Sequence, residues 1–103
     1  MKKYYYNDFL IRKSNNDYSF AVCSFDESKK SIKVYSCHGS LELARNNFKR
    51  EATRLDQALQ SWKKVLDAPE EWSATSIEEA RAFYTRIKRD LDTLSIVKIE
   101  ARW

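Results

Sequence analysis

The chain has 103 residues, enough for one domain (residues 1–103) that buries a core without disulfides or metal ions. Hydrophobic residues make up 43% of the chain and aromatic residues 14%, which excludes an intrinsically disordered protein. No run approaches the ~18 apolar residues of a membrane span, and the first residues lack the apolar stretch of a signal peptide. We therefore expect a soluble, cytoplasmic protein with no membrane partner.

The net charge of +4 is unevenly distributed along the chain. Residues 1–54 hold eleven basic and six acidic residues, whereas residues 55–103 hold eight basic and nine acidic residues. The positive excess therefore belongs entirely to the first half. Such asymmetry is typical of a protein with a polyanion-binding face.

Three segments near the start of the chain have the composition of β-strands. They span Tyr4 to Lys13, Tyr18 to Phe25 and Ser31 to Cys37, and they are rich in aromatic and β-branched residues. The turn-forming cluster around residues 15–16 and a second turn around Ser28 separate them. The pattern predicts a three-stranded antiparallel meander.

If both turns are tight, the register of this meander follows from the spacing of its residues. Ile11 then pairs with Phe20, and Val22 pairs with Val34, which gives the sheet two distinct faces. The predicted core face contains Phe9, Ile11, Phe20, Val22, Ile32 and Val34. The opposite face mixes aromatic, small and cationic residues: Tyr6, Leu10, Arg12, Ala21, Cys23, Lys33, Tyr35 and Cys37.

Two amphipathic helices and a final strand follow. Apolar residues at helical spacing predict a long helix from Ser40 to about Leu66, with Ser40 as its N-cap. The sequence from Ser76 to Glu79 has the form of a capping box and predicts the start of a second helix, which pairs with the first as a hairpin. Alternation from Ile96 to Trp103 predicts a fourth strand, with its odd-numbered residues facing inward. The expected fold is therefore α+β, in the order βββααβ.

The residues that catalysis or metal binding requires are scarce. The chain has one histidine, one glycine and two cysteines, so neither a metal-ligand cluster nor a glycine-rich phosphate loop is expected. The predicted register places Cys37 opposite Ser19, four residues along from Cys23 and too far for a disulfide. Cys37 and His38 are adjacent on a strand and point to opposite faces, which disfavours a nucleophile–base pair. We expect a non-catalytic protein without metal or cofactor.

The first half of the chain resembles, in outline, the βββα arm-type DNA-binding modules of phage-type integrases. The segments that carry the resemblance are Tyr18–Val22 as second strand and Gly39–Ala44 at the helix start, within residues 5–55. The resemblance implies that one set of cations faces a DNA groove: Arg12, Lys29, Lys30 and Lys33.

Two further groups of residues favour nucleic acid as the partner. Arg50 and Arg54 lie four residues apart on the first predicted helix, with Arg45 and Lys49 close by, and like charges at this spacing cost helix stability unless an anion relieves them. On the second sheet face, aromatic rings combine with cations as in RNA and single-strand platforms. We expect Arg45, Lys49, Arg50 and Arg54 to hold phosphates, and Tyr6 and Tyr35 to stack on bases.

A protein-binding or inhibitor module, of the kind that phages and other mobile elements encode, is the alternative. Three tryptophans, six tyrosines and mixed-sign charge suit a protein interface, with Trp72 and Trp103 as anchors or as lids over the core. A homodimer through the second sheet face is another form of this alternative. Salt separates the two classes, because phosphate binding weakens steeply as salt rises.

Overall fold

The computed structural model describes residues 1–103 as six β-strands and two long α-helices, which confirms the α+β class. The strands form two antiparallel sheets of three, in the orders β2-β1-β6 and β4-β3-β5. Neither helix is long and apolar enough to cross a membrane. In chain order the elements are β1 (Lys2–Tyr6), β2 (Phe9–Ser14), β3 (Phe20–Asp26), β4 (Ser31–His38), α1 (Leu41–Asp67), α2 (Ala74–Thr93), β5 (Ser95–Lys98) and β6 (Glu100–Arg102).

The predicted first strand is in fact a hairpin. The chain reverses direction at Asn7, whose φ of 52° lies in the left-handed region that asparagine tolerates better than most residues. β1 then pairs with β2, and β3 pairs with β4 and β5 instead of with β2. The predicted meander and its pairing of Ile11 with Phe20 are therefore wrong.

The predicted hairpin between β3 and β4 is present, but its register differs by one residue. Val34 pairs with Cys23 rather than with Val22, because the turn closes at Asp26 and Ser31 and not symmetrically around Ser28. A shift of one residue exchanges the two faces of a strand. Tyr35 consequently packs on the helix side of the sheet, whereas Val34 packs on the other side, the reverse of the prediction.

Each face of the central β4-β3-β5 sheet borders a core of its own. The helix-side core contains Val22, Ala44, Leu55 and Leu94. The sheet-side core joins the two sheets, and Tyr4 of β1 is 2% exposed there. Its buried residues are Tyr4, Ala21, Cys23, Cys37, Val97 and Ile99. The second sheet face is thus covered by the chain itself, so Ala21, Cys23 and Cys37 of that face are not exposed for the homodimer contact that the sequence suggested.

The C-terminal segment, which the sequence predicted as one strand, forms β5 and β6 and connects the two sheets. β5 pairs with β3 and β6 pairs with β1. Between them Ile99, which is 4% exposed, donates its N–H to the carbonyl oxygen of Ser19 at 3.0 Å. Val97 and Ile99 face inward as predicted, but Ala101 is exposed and Trp103 is 90% exposed. The inward placement predicted for these last two residues is wrong, because β6 belongs to the β2-β1-β6 sheet and not to the central sheet.

The two helices form the predicted hairpin across one face of the central sheet. The Ser40 side chain accepts the Leu43 N–H at 3.3 Å, which confirms the predicted N-cap of α1. The N-cap of α2 is Ser73, whose hydroxyl accepts the Ser76 N–H at 3.1 Å, so the predicted capping box at Ser76 is wrong. A 3-10 turn, Pro69–Glu71, lies in the connector.

Candidate anion-binding surface

The structure separates the predicted site residues into several groups. Tyr6 packs against Phe25, with ring centroids 5.8 Å apart, beside the sheet-side core, whereas Tyr35 packs beside the helix-side core. The two tyrosines therefore lie on opposite sides of the central sheet, and the expected stacking platform on one face is wrong. Arg12 also lies outside this sheet, on β2, with its guanidinium 5.3 Å from the ring centroid of Tyr18.

The ring of Tyr35 holds two cations from distant parts of the chain. Lys33 Nζ lies 5.3 Å from its centroid and Arg54 Cζ lies 5.9 Å from it, both within the range of cation–π attraction. The Tyr35 hydroxyl lies 3.2 Å from the hydroxyl of Ser24, which fixes the ring. Burial raises the pKa of Tyr35, so the phenol stays neutral. We call Lys33, Tyr35 and Arg54 the Tyr35 cluster.

A polar cleft of about 360 Å³ opens beside this cluster, between the β3–β4 hairpin and α2. The buried Asp90 lies in its wall, and we call it the Asp90 cleft. Four cations and two carboxylates line it, leaving a net charge of +2. These charged residues are Lys29, Lys33, Arg86, Arg89, Asp26 and Asp90.

The ion pairs in the Asp90 cleft leave hydrogen-bond donors free. Lys33 Nζ lies 3.5 Å from Asp90 Oδ2, and Nη2 of Arg89 lies 3.3 Å from Asp26 Oδ2. Both distances exceed the ~2.7–2.9 Å of strong charge-assisted hydrogen bonds. The Nε of Arg89 is buried and has no hydrogen-bond partner in the protein. A buried donor of this kind is costly unless it is paired.

Asp26 organises the mouth of the cleft. Its Oδ1 accepts hydrogen bonds from the Ser28 hydroxyl at 2.6 Å and from the Lys29 N–H at 3.3 Å. The hydrogen bond from Ser28 and the charge of Arg89 are among the causes that lower the pKa of Asp26, with the Ser28 bond the largest. Asp26 therefore stays ionised at neutral pH and holds both Lys29 and Arg89 in place.

The cations of α1 do not form a single patch. Arg50 and Arg54 are one turn apart, and Arg54 meets Tyr35 while its Nη2 pairs with Glu51 at 2.8 Å. Arg45 and Lys49 are also one turn apart, but Lys49 lies about 140° round the helix from Arg54 at ~3.6 residues per turn. Of these four cations, Arg54 is the one that contacts Tyr35.

Sequence reasoning missed Arg86 and Arg89, because residues 55–103 carry a net negative charge as a whole. Within α2, however, the charges are segregated: Glu78 and Glu79 lie near its start, and basic residues dominate from Arg81 onward. A charge count along this helix alone would have indicated the patch. Lys29 and Lys33 were identified, and the structure adds the two arginines beside them.

The thiols and the histidine are poorly suited to nucleophilic chemistry. Both cysteines are free and buried, and burial raises the pKa of Cys23 to about 12 and also raises that of Cys37. Cys37 pairs opposite Ala21, which is two residues along from Cys23 and not four as the predicted register had it. His38 Nε2 lies 2.8 Å from the Ser36 hydroxyl, and burial lowers its pKa. No group of three or more potential metal-ligating side chains is placed to hold an ion.

Comparisons with family models, with characterised proteins and with solved structures find no match to this chain. The resemblance to integrase arm-type modules fails in its topology, since four strands precede α1 and the first two pair only with one another and with β6. The candidate site therefore has to be interpreted from its own chemistry.

Proposed function

We propose that this protein is a non-catalytic nucleic-acid-binding protein that contacts phosphates through the Tyr35 cluster and the Asp90 cleft. The observation that carries the proposal is the convergence of cations from three elements: Lys33 of β4, Arg54 of α1, and Arg86 and Arg89 of α2. These residues are up to 56 positions apart in the sequence and meet on one side of the central sheet.

Most of the positive charge of the protein is unpaired. Of nineteen lysine and arginine side chains, only Lys2, Lys33, Arg54 and Arg89 have a carboxylate within 4 Å. Grouped like charges repel one another and attract polyanions. Phosphate contacts would replace this repulsion with attraction and release counterions from the nucleic acid. The packing of both tyrosines favours binding of the phosphate backbone over stacking on bases.

Fluorescence anisotropy with labelled duplex DNA, single-stranded DNA and RNA, at about 50 and 200 mM salt, tests the proposal. We expect affinity that falls steeply with salt. The double variant Arg54→Gln with Arg86→Gln removes two phosphate contacts, so it should weaken binding by tenfold or more and flatten the slope of log K against log salt by about 2.

Two matched variants locate the binding surface. Lys63→Gln with Lys64→Gln makes the same change in charge at exposed positions of α1 away from both site regions, and should bind like the wild type. Arg45→Gln with Lys49→Gln removes the second cationic face of α1 and should have a smaller effect than Arg54→Gln with Arg86→Gln. Equal losses in all three would show only a nonspecific charge effect, and absence of binding at 50 mM salt would contradict the proposal.

Protein binding remains the second candidate, and the exposure of two tryptophans favours it. Trp72 is 48% exposed at the tip of the helical hairpin and Trp103 is 90% exposed at the C-terminus, so neither is a lid over the core. Exposed tryptophans are frequent anchors of protein interfaces. A partner bound through them would be insensitive to salt and lost with Trp72→Ala, whereas nucleic-acid binding should be unchanged by that substitution.

A further inference from the structure

The Asp90 cleft differs from the rest of the cationic surface because it is a concave pocket and not an open row of charges. Its volume of about 360 Å³ corresponds to roughly a dozen water molecules at ~30 Å³ each. That is enough for a phosphate group together with part of the molecule that carries it. Cations line it from the β3–β4 hairpin on one side and from α2 on the other.

We infer that the Asp90 cleft binds a phosphate monoester dianion, held by Arg86, Arg89 and Lys29. The inference deepens the proposed function and rests on it for one of two sources of the group, the terminal phosphate of a nucleic-acid strand. The other source is a free mononucleotide, which needs no strand.

The charge balance of the cleft distinguishes a monoester from an internal phosphodiester. A phosphate monoester carries a charge of about −1.5 to −2 at pH 7, with three terminal oxygens that accept hydrogen bonds. The cleft has a net charge of +2 and donors on two opposite walls. A phosphodiester of the backbone has one charge and two terminal oxygens, so it would leave part of this positive charge uncompensated.

The geometry assigns a part to each cation. Arg86 has no carboxylate within 4 Å, and its guanidinium is steadied 4.8 Å from the ring centroid of Phe83, so it is free for a bidentate contact with phosphate. Arg89 lies one turn further along α2, and its side chain, which is 37% exposed, also lines the cleft. Lys29 faces them from the turn between β3 and β4. Asp26 anchors both Arg89 and the Lys29 backbone, which fixes the two walls relative to one another.

The experiment compares ligands that differ only in one phosphate group. Anisotropy measures a single-stranded oligonucleotide with a 5′-phosphate against the same strand with a 5′-hydroxyl, both at about 50 mM salt. Calorimetry measures adenosine 5′-monophosphate against adenosine. We expect the 5′-phosphate to increase affinity at least fivefold, and adenosine 5′-monophosphate to bind where adenosine does not.

Variants that leave the ion pairs of the fold intact then test whether Arg86 and Lys29 contact the phosphate. Arg86→Gln and Lys29→Gln should each abolish the advantage of the phosphorylated ligand, because neither side chain has a carboxylate partner within 4 Å in the protein. Lys64→Gln, an exposed charge change elsewhere on α1, should retain it. A phosphate advantage that survives Arg86→Gln with Lys29→Gln would overturn the assignment to this cleft.

The oligonucleotide and mononucleotide measurements together distinguish failure of this inference from failure of the proposed function. Equal, salt-sensitive binding of both oligonucleotides with no binding of adenosine 5′-monophosphate would overturn the inference and leave nucleic-acid binding standing. Binding of adenosine 5′-monophosphate that depends on Arg86, with no binding of either strand, would support the cleft and contradict the proposed function.

Discussion

Thr93, at the last turn of α2, shows how one side chain completes the central sheet. Its Oγ1 accepts the Phe25 N–H at 3.0 Å and lies 3.1 Å from the Phe25 carbonyl oxygen and 2.8 Å from that of Arg89, either of which can take its proton. The pairing of β3 with β5 ends at Cys23 and Ser95, so the backbone of Phe25 has no strand partner on that side. The threonine hydroxyl therefore takes the hydrogen-bonding position that a neighbouring strand would otherwise fill at Phe25.

Thr93→Val keeps the shape of the side chain and removes its hydroxyl. The part-buried Phe25 N–H then has no partner, so we expect a loss of about 1–3 kcal/mol in the free energy of unfolding measured with urea. Thr85→Val is the matched control. The Thr85 hydroxyl only donates to the Arg81 carbonyl oxygen within the same helix, and its removal should change stability by less than ~0.5 kcal/mol. Equal effects would show that the bond to β3 contributes nothing of its own.

At the scale of elements, the helical hairpin is joined near its distal end by an aromatic pair. The rings of Trp62 on α1 and Phe83 on α2 stack with centroids 4.9 Å apart and an interplanar angle of 16°. Both side chains are half-buried. Neither ring is among the residues packed on the helix-side core, so this contact joins the two helices to one another.

A double-mutant cycle measures this dependence directly. We expect Trp62→Ala and Phe83→Ala each to lower the free energy of unfolding, and the double variant to lose about 0.5–1.5 kcal/mol less than the two single losses together. The reason is that the stacking contact is removed by either change alone. Losses that add to within ~0.3 kcal/mol would mean that the rings are merely adjacent.

At the scale of the molecule, the two cores share the central sheet as a common wall. Ala21 and Cys23 of β3 face one core while Val22 faces the other, and all three are fully buried. Because the C-terminal segment also runs from one sheet to the other at Ile99, we predict that the 103 residues unfold as a single cooperative domain.

Truncating one residue in each core tests that prediction. Ile99→Ala in the sheet-side core and Leu55→Ala in the helix-side core should each cost about 2–5 kcal/mol. In both variants circular dichroism should show one transition, and hydrogen exchange should speed up in both sheets and in the helices. Leu10→Ala, at a position that is 44% exposed, serves as control. Faster exchange confined to β1, β2 and β6 in Ile99→Ala would divide the chain into two units.

Parts of this fold were predictable because they depend on neighbours in the sequence. The helical period and the Ser40 cap predicted the C-terminal end of α1 to within one residue. The start of α2 was predicted at the wrong serine, since Ser73 and Ser76 both have capping chemistry and only the structure distinguishes them. The turn at Asn7 was missed because it has neither glycine nor proline, so its residues appeared to continue a strand.

By itself, then, the sequence determined the α+β class, the helical hairpin and the basic character of the β3–β4 turn, all of which follow from patterns within a few residues. Only the tertiary structure decided which strands pair, which way Tyr35 points, and that cations of α2 join those of β4. The turn between β3 and β4 closes at Asp26 and Ser31, one residue out of the predicted register, and Tyr35 therefore faces the helix side. The pairing of Lys33 with Asp90, 57 residues further on, depends on how the sheet and α2 pack. Local periodicity does not encode such contacts, because their free energy arises only when distant elements come together.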